Sequence, residues 1–190
     1  MNTTESDQLD GFRSGTVALI GRPNAGKSTL LNRLVGVKVS IVSDKPQTTR
    51  HRIHGVVTED RGQVVFVDTP GVHRPHYRMN RRMMNTTRQV LHEADLVALL
   101  VDVTESRGRG LTYLLELVKG LDTSVMLLLN KVDKLAKTEL LPLIAWFSQQ
   151  ATFAEIIPIS ALKGDNCDAL MTSALALLPQ GPPLFPKDAL

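Results

Sequence analysis

Thr16-Val17-Ala18-Leu19-Ile20-Gly21-Arg22-Pro23-Asn24-Ala25-Gly26-Lys27-Ser28-Thr29 is the stretch that decides the fold. Thr16 to Ile20 is a short apolar run of strand length, and a helical pattern resumes at Ser28 through Leu34. Between them, Gly21 to Ser28 fits G-x-x-x-x-G-K-[ST], placed where a strand gives way to a helix. Gly21 and Gly26 let backbone N–H groups turn inward around phosphate oxygens, and the helix N-terminus adds a favourable dipole and free donors. Lys27 would pair the β- and γ-phosphates, and the Ser28 hydroxyl would bind magnesium. This element implies a nucleoside triphosphate and does not name its base.

Working outward, Arg52 to Thr58 and Gln63 to Val67 read as two strands joined by the polar turn Glu59-Asp60-Arg61-Gly62, an antiparallel hairpin. Apolar runs recur at Leu96 to Val101, Val125 to Leu129 and Ile156 to Ile159. Helical patterns separate them at Asn80 to His92, Leu111 to Lys119, Glu139 to Gln150 and Asp168 to Leu178. Strands alternating with helices predict an α/β fold, a three-layer α/β/α sandwich of the P-loop NTPase type, with a mainly parallel sheet and one antiparallel edge hairpin. Ligands of such sheets sit at the carboxyl ends of the strands. Gly36 to Arg50 and Gly71 to Met79 fit no regular element, and connections of that length are usually functional. Pro179 to Leu190 holds four of the ten prolines and reads as a linker to something further. The expected organisation is a flexible segment over 1–14, one domain over 15–178 and the linker over 179–190.

Two further motifs fall at strand ends. Asp68-Thr69-Pro70-Gly71 closes an apolar run, placing Asp68 where a carboxylate can hold the magnesium shell and Gly71 where an N–H can approach the γ-phosphate. Asn130-Lys131-Val132-Asp133 follows the run ending at Leu129. Asp133 can accept from guanine N1–H and the 2-amino group, which adenine lacks. A site built on that charged hydrogen bond rejects the wrong base by roughly 10⁴-fold, since the carboxylate would otherwise go unpaired. Asn130 would brace the phosphate loop and the purine edge, and the Lys131 stem would cover the base. Ser160 and Ala161, just past Ile159, offer backbone N–H groups to guanine O6. The expected nucleotide contacts are therefore Gly21, Arg22, Pro23, Asn24, Ala25, Gly26, Lys27, Ser28 and Thr29, then Asp68, Thr69, Pro70, Gly71 and Val72, then Asn130, Lys131, Val132 and Asp133, and finally Ser160, Ala161 and Leu162.

Bulk properties agree with one folded domain. The 190 residues are 43% hydrophobic and 22% charged, which excludes disorder and collagen-like repeats. No apolar stretch approaches the roughly 20 residues of a membrane-spanning helix, and 1–14 lacks the apolar core of a secretory signal. The single cysteine, Cys167, cannot form an internal disulfide and fits a buried core position in a reducing, cytoplasmic setting. The net charge of +3 is uneven: Gly71 to His92 has no Asp or Glu but carries Arg74, Arg78, Arg81, Arg82 and Arg88. Such a run is either a solvated helix face or a nucleic-acid contact, with only Tyr77 available for stacking. His73 and His76 lack the neighbouring cysteine of a typical zinc set.

These motifs, together with Lys45-Pro46-Gln47-Thr48-Thr49-Arg50-His51-Arg52 and Ile159-Ser160-Ala161, resemble the G domain of the bacterial Era GTPase family across nearly the whole chain. The Pro-Gln-Thr-Thr-Arg loop is the most discriminating part, because sibling families acting in tRNA modification or as tandem G domains usually show Pro-Gly-x-Thr-Arg there. The resemblance implies a GTP-hydrolysing switch in which Thr49, with Thr48 as the second candidate, reaches magnesium, so the metal set becomes Ser28, Thr49 and Asp68 and the catalytic set Lys27, Thr49, Gly71 and Asn24. It also implies binding of GTP and GDP, assembly of the small ribosomal subunit through its ribosomal RNA by way of a KH domain that would follow the linker, and peripheral association with the inner membrane. Val72, the residue after Gly71, cannot orient a water as the Gln of Ras-like proteins does, so unaided hydrolysis is expected to be slow. Asn24 is a potassium ligand in one reading and a loop-bracing hydrogen-bond partner in the other. A nucleotide-gated binding module without turnover and a P-loop kinase are the competing classes, and the Asn130 to Asp133 motif argues against the kinase.

Overall fold

The structure is a computed structural model that describes residues 11–35, 53–67 and 88–186. Its strands are β1 (Arg13–Gly21), β2 (Ile53–Glu59), β3 (Gly62–Val67), β4 (Leu96–Asp102), β5 (Val125–Asn130) and β6 (Glu155–Ile159). Its helices are α1 (Lys27–Val35), α2 (Arg109–Lys119), α3 (Lys137–Ser148) and α4 (Cys167–Leu177), with further helical turns at 88–93. Residues 80–87 of the helix expected from Asn80 lie outside the described residues.

The strands form one sheet in the order β2-β3-β1-β4-β5-β6, parallel except for the antiparallel β2-β3 pair. The chain builds to one side of β1 as β3 and β2, then to the other as β4, β5 and β6. That reversal makes β1 the switch point, and the crevice beyond its carboxyl end is where such sheets take ligands.

Alternation along the strands divides the core between two faces. Val17 and Leu19 of β1 join Val64 and Phe66, Leu96 to Leu100 in alternate steps, and Met126 and Leu128, under Leu30 of α1 and Leu170, Met171 and Ala174 of α4. Ala18 and Ile20 face the other way with Val65, Val67, Leu99, Leu127 and Leu129, covered by Val90 and Leu91, α2 and α3. Helix α2 shows why: Leu111, Leu114, Leu115 and Val118 recur at helical spacing and are all buried. Each such side chain contributes roughly 1.5–3 kcal/mol of transfer free energy. Cys167 is buried at the start of α4, and burial pushes its thiol pKa up.

Two expected boundaries move. Strand β1 begins at Arg13, inside the stretch expected to be a flexible N-terminal segment. The Pro-rich tail, expected to be a linker, packs on the amino end of the sheet as far as Phe185. Ser14 N–H donates to Pro179 O at 3.1 Å, its hydroxyl donates to Pro182 O at 2.6 Å, and Gly181 N–H donates to Phe12 O at 3.0 Å. Gln63, fully buried, grips Phe185 from both sides of its backbone: the amide donates to Phe185 O at 2.8 Å and accepts from Phe185 N–H at 2.8 Å. Four prolines in so short a tail disfavour a helix or central strand but do not hinder docking, because carbonyls remain as acceptors.

Candidate functional site

The loop between β1 and α1 turns through two left-handed residues, Asn24 at φ 62° and Gly26 at φ 103°. Asn24 is one of the few residue types that tolerates this region, and Gly26 is needed twice over, since a Cβ there would strike the side-chain amide of Asn130. Ala25 N–H closes the turn on Arg22 O at 3.2 Å, and α1 takes over with Leu30 N–H donating to Gly26 O at 2.8 Å. Lys27 reaches back over the loop, its ammonium donating to Gly21 O at 2.8 Å and Arg22 O at 2.7 Å. Ser28 and Thr29 are exposed in the first turn of α1, where backbone N–H groups lack intrahelical partners. That geometry suits an anion at the helix N-terminus, with the Ser28 hydroxyl as a hard oxygen donor for magnesium. Arg22 leaves the loop sideways and pairs with Glu105 at 2.8 Å.

The second half of the site sits at the ends of β5 and β6. Asn130, 2% exposed, is the link between halves: its Nδ2 donates to Ala25 O in the phosphate loop at 2.7 Å, and its Oδ1 accepts from Ala161 N–H at 2.9 Å. After it the chain turns at Lys131, φ 69°, into a 3₁₀ turn over Val132–Lys134 that brings Asp133 round. Ser160 Oγ donates to Asp133 Oδ1 at 2.7 Å. That hydroxyl holds the Asp133 carboxyl below its ordinary value of 3.8, against a smaller opposing contribution from burial.

The backbone groups expected to serve guanine O6 have partners within the protein here: Ser160 N–H donates to Asp165 O at 3.1 Å in an antiparallel bridge, and Ala161 N–H donates to Asn130 Oδ1. The loop after β6 folds back on itself through Gly164 at φ 92°, where Gly164 N–H donates to Ser160 O at 2.7 Å, so that both backbone polar groups of Ser160 are bonded within the loop.

Asp102 is a site residue that motif reading misses. It ends β4 directly beside Asn130 in the register and is 5% exposed. It pairs with Lys131 and accepts from Thr104 N–H at 2.9 Å and Thr104 Oγ1 at 2.6 Å. Burial pushes its pKa up, but the Lys131 and Thr104 hydrogen bonds together outweigh that and leave it lowered. Asp102 thus fixes the side chain of Lys131. In the sequence it is only a carboxylate closing an all-apolar run, and its partner is set by β4 lying beside β5.

The structure brings Gly21 to Thr29, Asn130 to Asp133 and Ser160 to Leu162 to one end of the sheet, as expected. Thr49, Asp68, Thr69, Pro70, Gly71 and Val72 lie outside the described residues, as do His73, His76 and the arginines from Arg74 to Arg82. Among the described residues no helix is long and apolar enough to cross a membrane.

Comparison with known proteins is consistent with this geometry. A family described as 50S ribosome-binding GTPase matches residues 16–131. Among solved structures, a variant of Era from Aquifex aeolicus bound to GDP and aluminium fluoride is 41% identical with a TM-score of 0.74, covering 93% of this chain and 60% of that one. Era in complex with magnesium GDPNP and a segment of 16S ribosomal RNA is 42% identical with a TM-score of 0.75, covering 93% and 61%. The G domain of the iron transporter FeoB from T. maritima is 25% identical with a TM-score of 0.59, covering 86% and 98%. The chain spans about three fifths of the length of the Era chains it matches.

Proposed function

We propose, from the premise that the chain belongs to the 50S ribosome-binding GTPase family, that it is a guanine-nucleotide switch that binds GTP and hydrolyses it to GDP and phosphate. The observation that carries this reading is the Asn130 side chain, which bonds the phosphate loop at Ala25 and the base loop at Ala161 with one amide. Two motifs far apart in the chain therefore form one site.

In this reading Asp133, kept ionised by the Ser160 hydroxyl, accepts from the two guanine donors. Lys131, steered by Asp102, lays its stem along the base. Lys27 exchanges its carbonyl partners for phosphate oxygens, and the α1 N-terminus supplies backbone donors. Ser28, with Thr49 and Asp68, would hold magnesium, which neutralises developing charge on the phosphates. Gly71 offers its N–H to the γ-phosphate, and loss of that phosphate releases the loops around Thr49 and Gly71. Val72 leaves the attacking water without a side-chain orienter, so turnover depends on help from outside the chain. Asn24 would be a ligand of a potassium ion whose charge would lie near the phosphates, or else brace the phosphate loop by a hydrogen bond.

The finer reading is action on the small ribosomal subunit. It draws support from the 16S RNA segment held by the 42%-identical Era neighbour, although the family description names the 50S subunit. The protein would work in the cytoplasm, with peripheral contact to the inner membrane. Equilibrium binding with GTP against ATP tests the core of this reading; equal affinity would end it. Turnover measured with purified 30S and 50S subunits, in potassium and in sodium chloride at equal ionic strength, tests the rest: acceleration by 50S alone, or equal rates in both salts, would remove the corresponding part.

A further inference from the structure

Arg33 stands in the last turn of α1, six residues beyond the lysine of the phosphate loop, or about 9 Å along the helix. It belongs to no nucleotide-binding motif. Its guanidinium nevertheless reaches across to the base loop and donates twice, from Nε to Ala161 O at 2.7 Å and from Nη2 to Leu162 O at 2.5 Å. Two successive carbonyls are thus held by one rigid, planar fork, a geometry that a lysine ammonium on a flexible stem does not reproduce.

The consequence follows from the trans peptide, in which the C=O of one residue and the N–H of the next point in opposite directions. Drawing the Ala161 and Leu162 carbonyls toward Arg33 turns the Leu162 and Lys163 N–H groups away from it. The Lys163 N–H then meets Ser160 Oγ at 3.1 Å, which orients that hydroxyl as an acceptor on one side and a donor on the other. Its proton goes to Asp133 Oδ1 at 2.7 Å. We infer that Arg33 is a positioning residue for guanine selection, setting the peptide planes after Ser160 so that the Ser160 hydroxyl holds the Asp133 carboxylate in its base-reading orientation.

Gly164 gives a second, independent sign of how closely the guanidinium is seated. Its φ is 92°, and a Cβ there would lie 3.0 Å from Arg33 Nη1. The loop thus comes right up against the arginine.

This inference rests on the proposed guanine site, and the experiment separates the two. Affinities of the full chain for GDP, IDP and ADP are measured for the wild type, Arg33→Ala, Arg33→Lys, Ser160→Ala and the Arg33→Ala/Ser160→Ala double variant, with the melting temperature of each. IDP lacks the 2-amino group, so the GDP-to-IDP ratio reports on Asp133 directly. Arg33→Ala is expected to weaken GDP by about tenfold and IDP by clearly less, narrowing the ratio. Arg33→Lys should restore only part of the loss, and the double variant should bind GDP no worse than Ser160→Ala alone, because both substitutions cut one route. Equal weakening of GDP and IDP, full rescue by lysine, or additive losses would overturn the positioning role. A wild type that does not prefer GDP to ADP would overturn the guanine site itself, and this inference with it.

Discussion

The two ends of the sheet use buried polar side chains for different ends. Among the described residues Ser14, Gln63, Asp102, Asn130 and Ser160 are the buried polar ones. Ser14 and Gln63, at the amino end, spend their hydrogen bonds on the backbone of the tail from Pro179 to Phe185. Asp102, Asn130 and Ser160, at the carboxyl end, bond to one another's motifs: Lys131, Ala25, Ala161 and Asp133. Left-handed backbone is concentrated at the carboxyl end, in Asn24, Gly26, Lys131, Gly164 and Asn166, with Gly11 at φ 88° before β1 on the amino side. At the amino end the buried groups hold a terminal segment in place, whereas at the carboxyl end Asn130 and Asp102 tie together loops that follow different strands.

The sharpest way to break that contrast is Asn130→Asp. The substitution is nearly isosteric, but it sets a carboxylate oxygen against Ala25 O where an amide donated. We expect a stability loss of about 3 kcal/mol and undetectable GTP binding, read by urea titration and nucleotide titration; a variant that binds normally would deny Asn130 its linking role. Next is Asp102→Asn, which keeps an acceptor for Thr104 but turns an amide toward the Lys131 ammonium. About 2 kcal/mol of stability should go, discounted for the partial exposure of Lys131, together with a several-fold loss in GTP affinity.

Gln63→Leu probes the opposite end. It should cost about 1–2 kcal/mol, since both hydrogen bonds to Phe185 disappear, yet leave the GTP affinity unchanged. A fall in affinity would show that the two ends are not separable. The smallest effect concerns acid. The folded pKa values of Asp102 and Asp133 lie below 3.8, so their contribution to stability is complete above that ordinary value. It drains away as pH falls through the depressed folded values. Urea midpoints taken between pH 5 and 2.5 should therefore fall more steeply for the wild type than for Asp102→Asn, and parallel curves would contradict the assignment.

Much of the fold was legible in the sequence because its cause is local. The apolar runs Leu96 to Val101 and Val125 to Leu129 are parallel strands buried on both faces, and they read as unbroken hydrophobic stretches for that reason. Gly21 to Ser28 and Asn130 to Asp133 could be placed at strand ends from sequence because each follows an apolar run with fixed residue types at fixed spacing. What escaped was long-range and singular. Arg33 and Ala161 are 128 residues apart, Gln63 and Phe185 are 122 apart, and Asp102 meets Lys131 only because β4 lies beside β5. Neither periodicity nor a motif announces a lone side chain that reaches across the fold. The docking of the Pro-rich tail was not legible because composition reports what a segment cannot form, not where its carbonyls find donors.

The contact between Gly26 and Asn130 bears on how such a site can change over generations. Any side chain at position 26 collides with the amide at 130, and any shorter residue at 130 strands the Ala25 carbonyl and the Ala161 N–H together. In the proposed site the phosphate grip and the base reader are thereby tied together, so that a change at position 26 or at position 130 is felt by both.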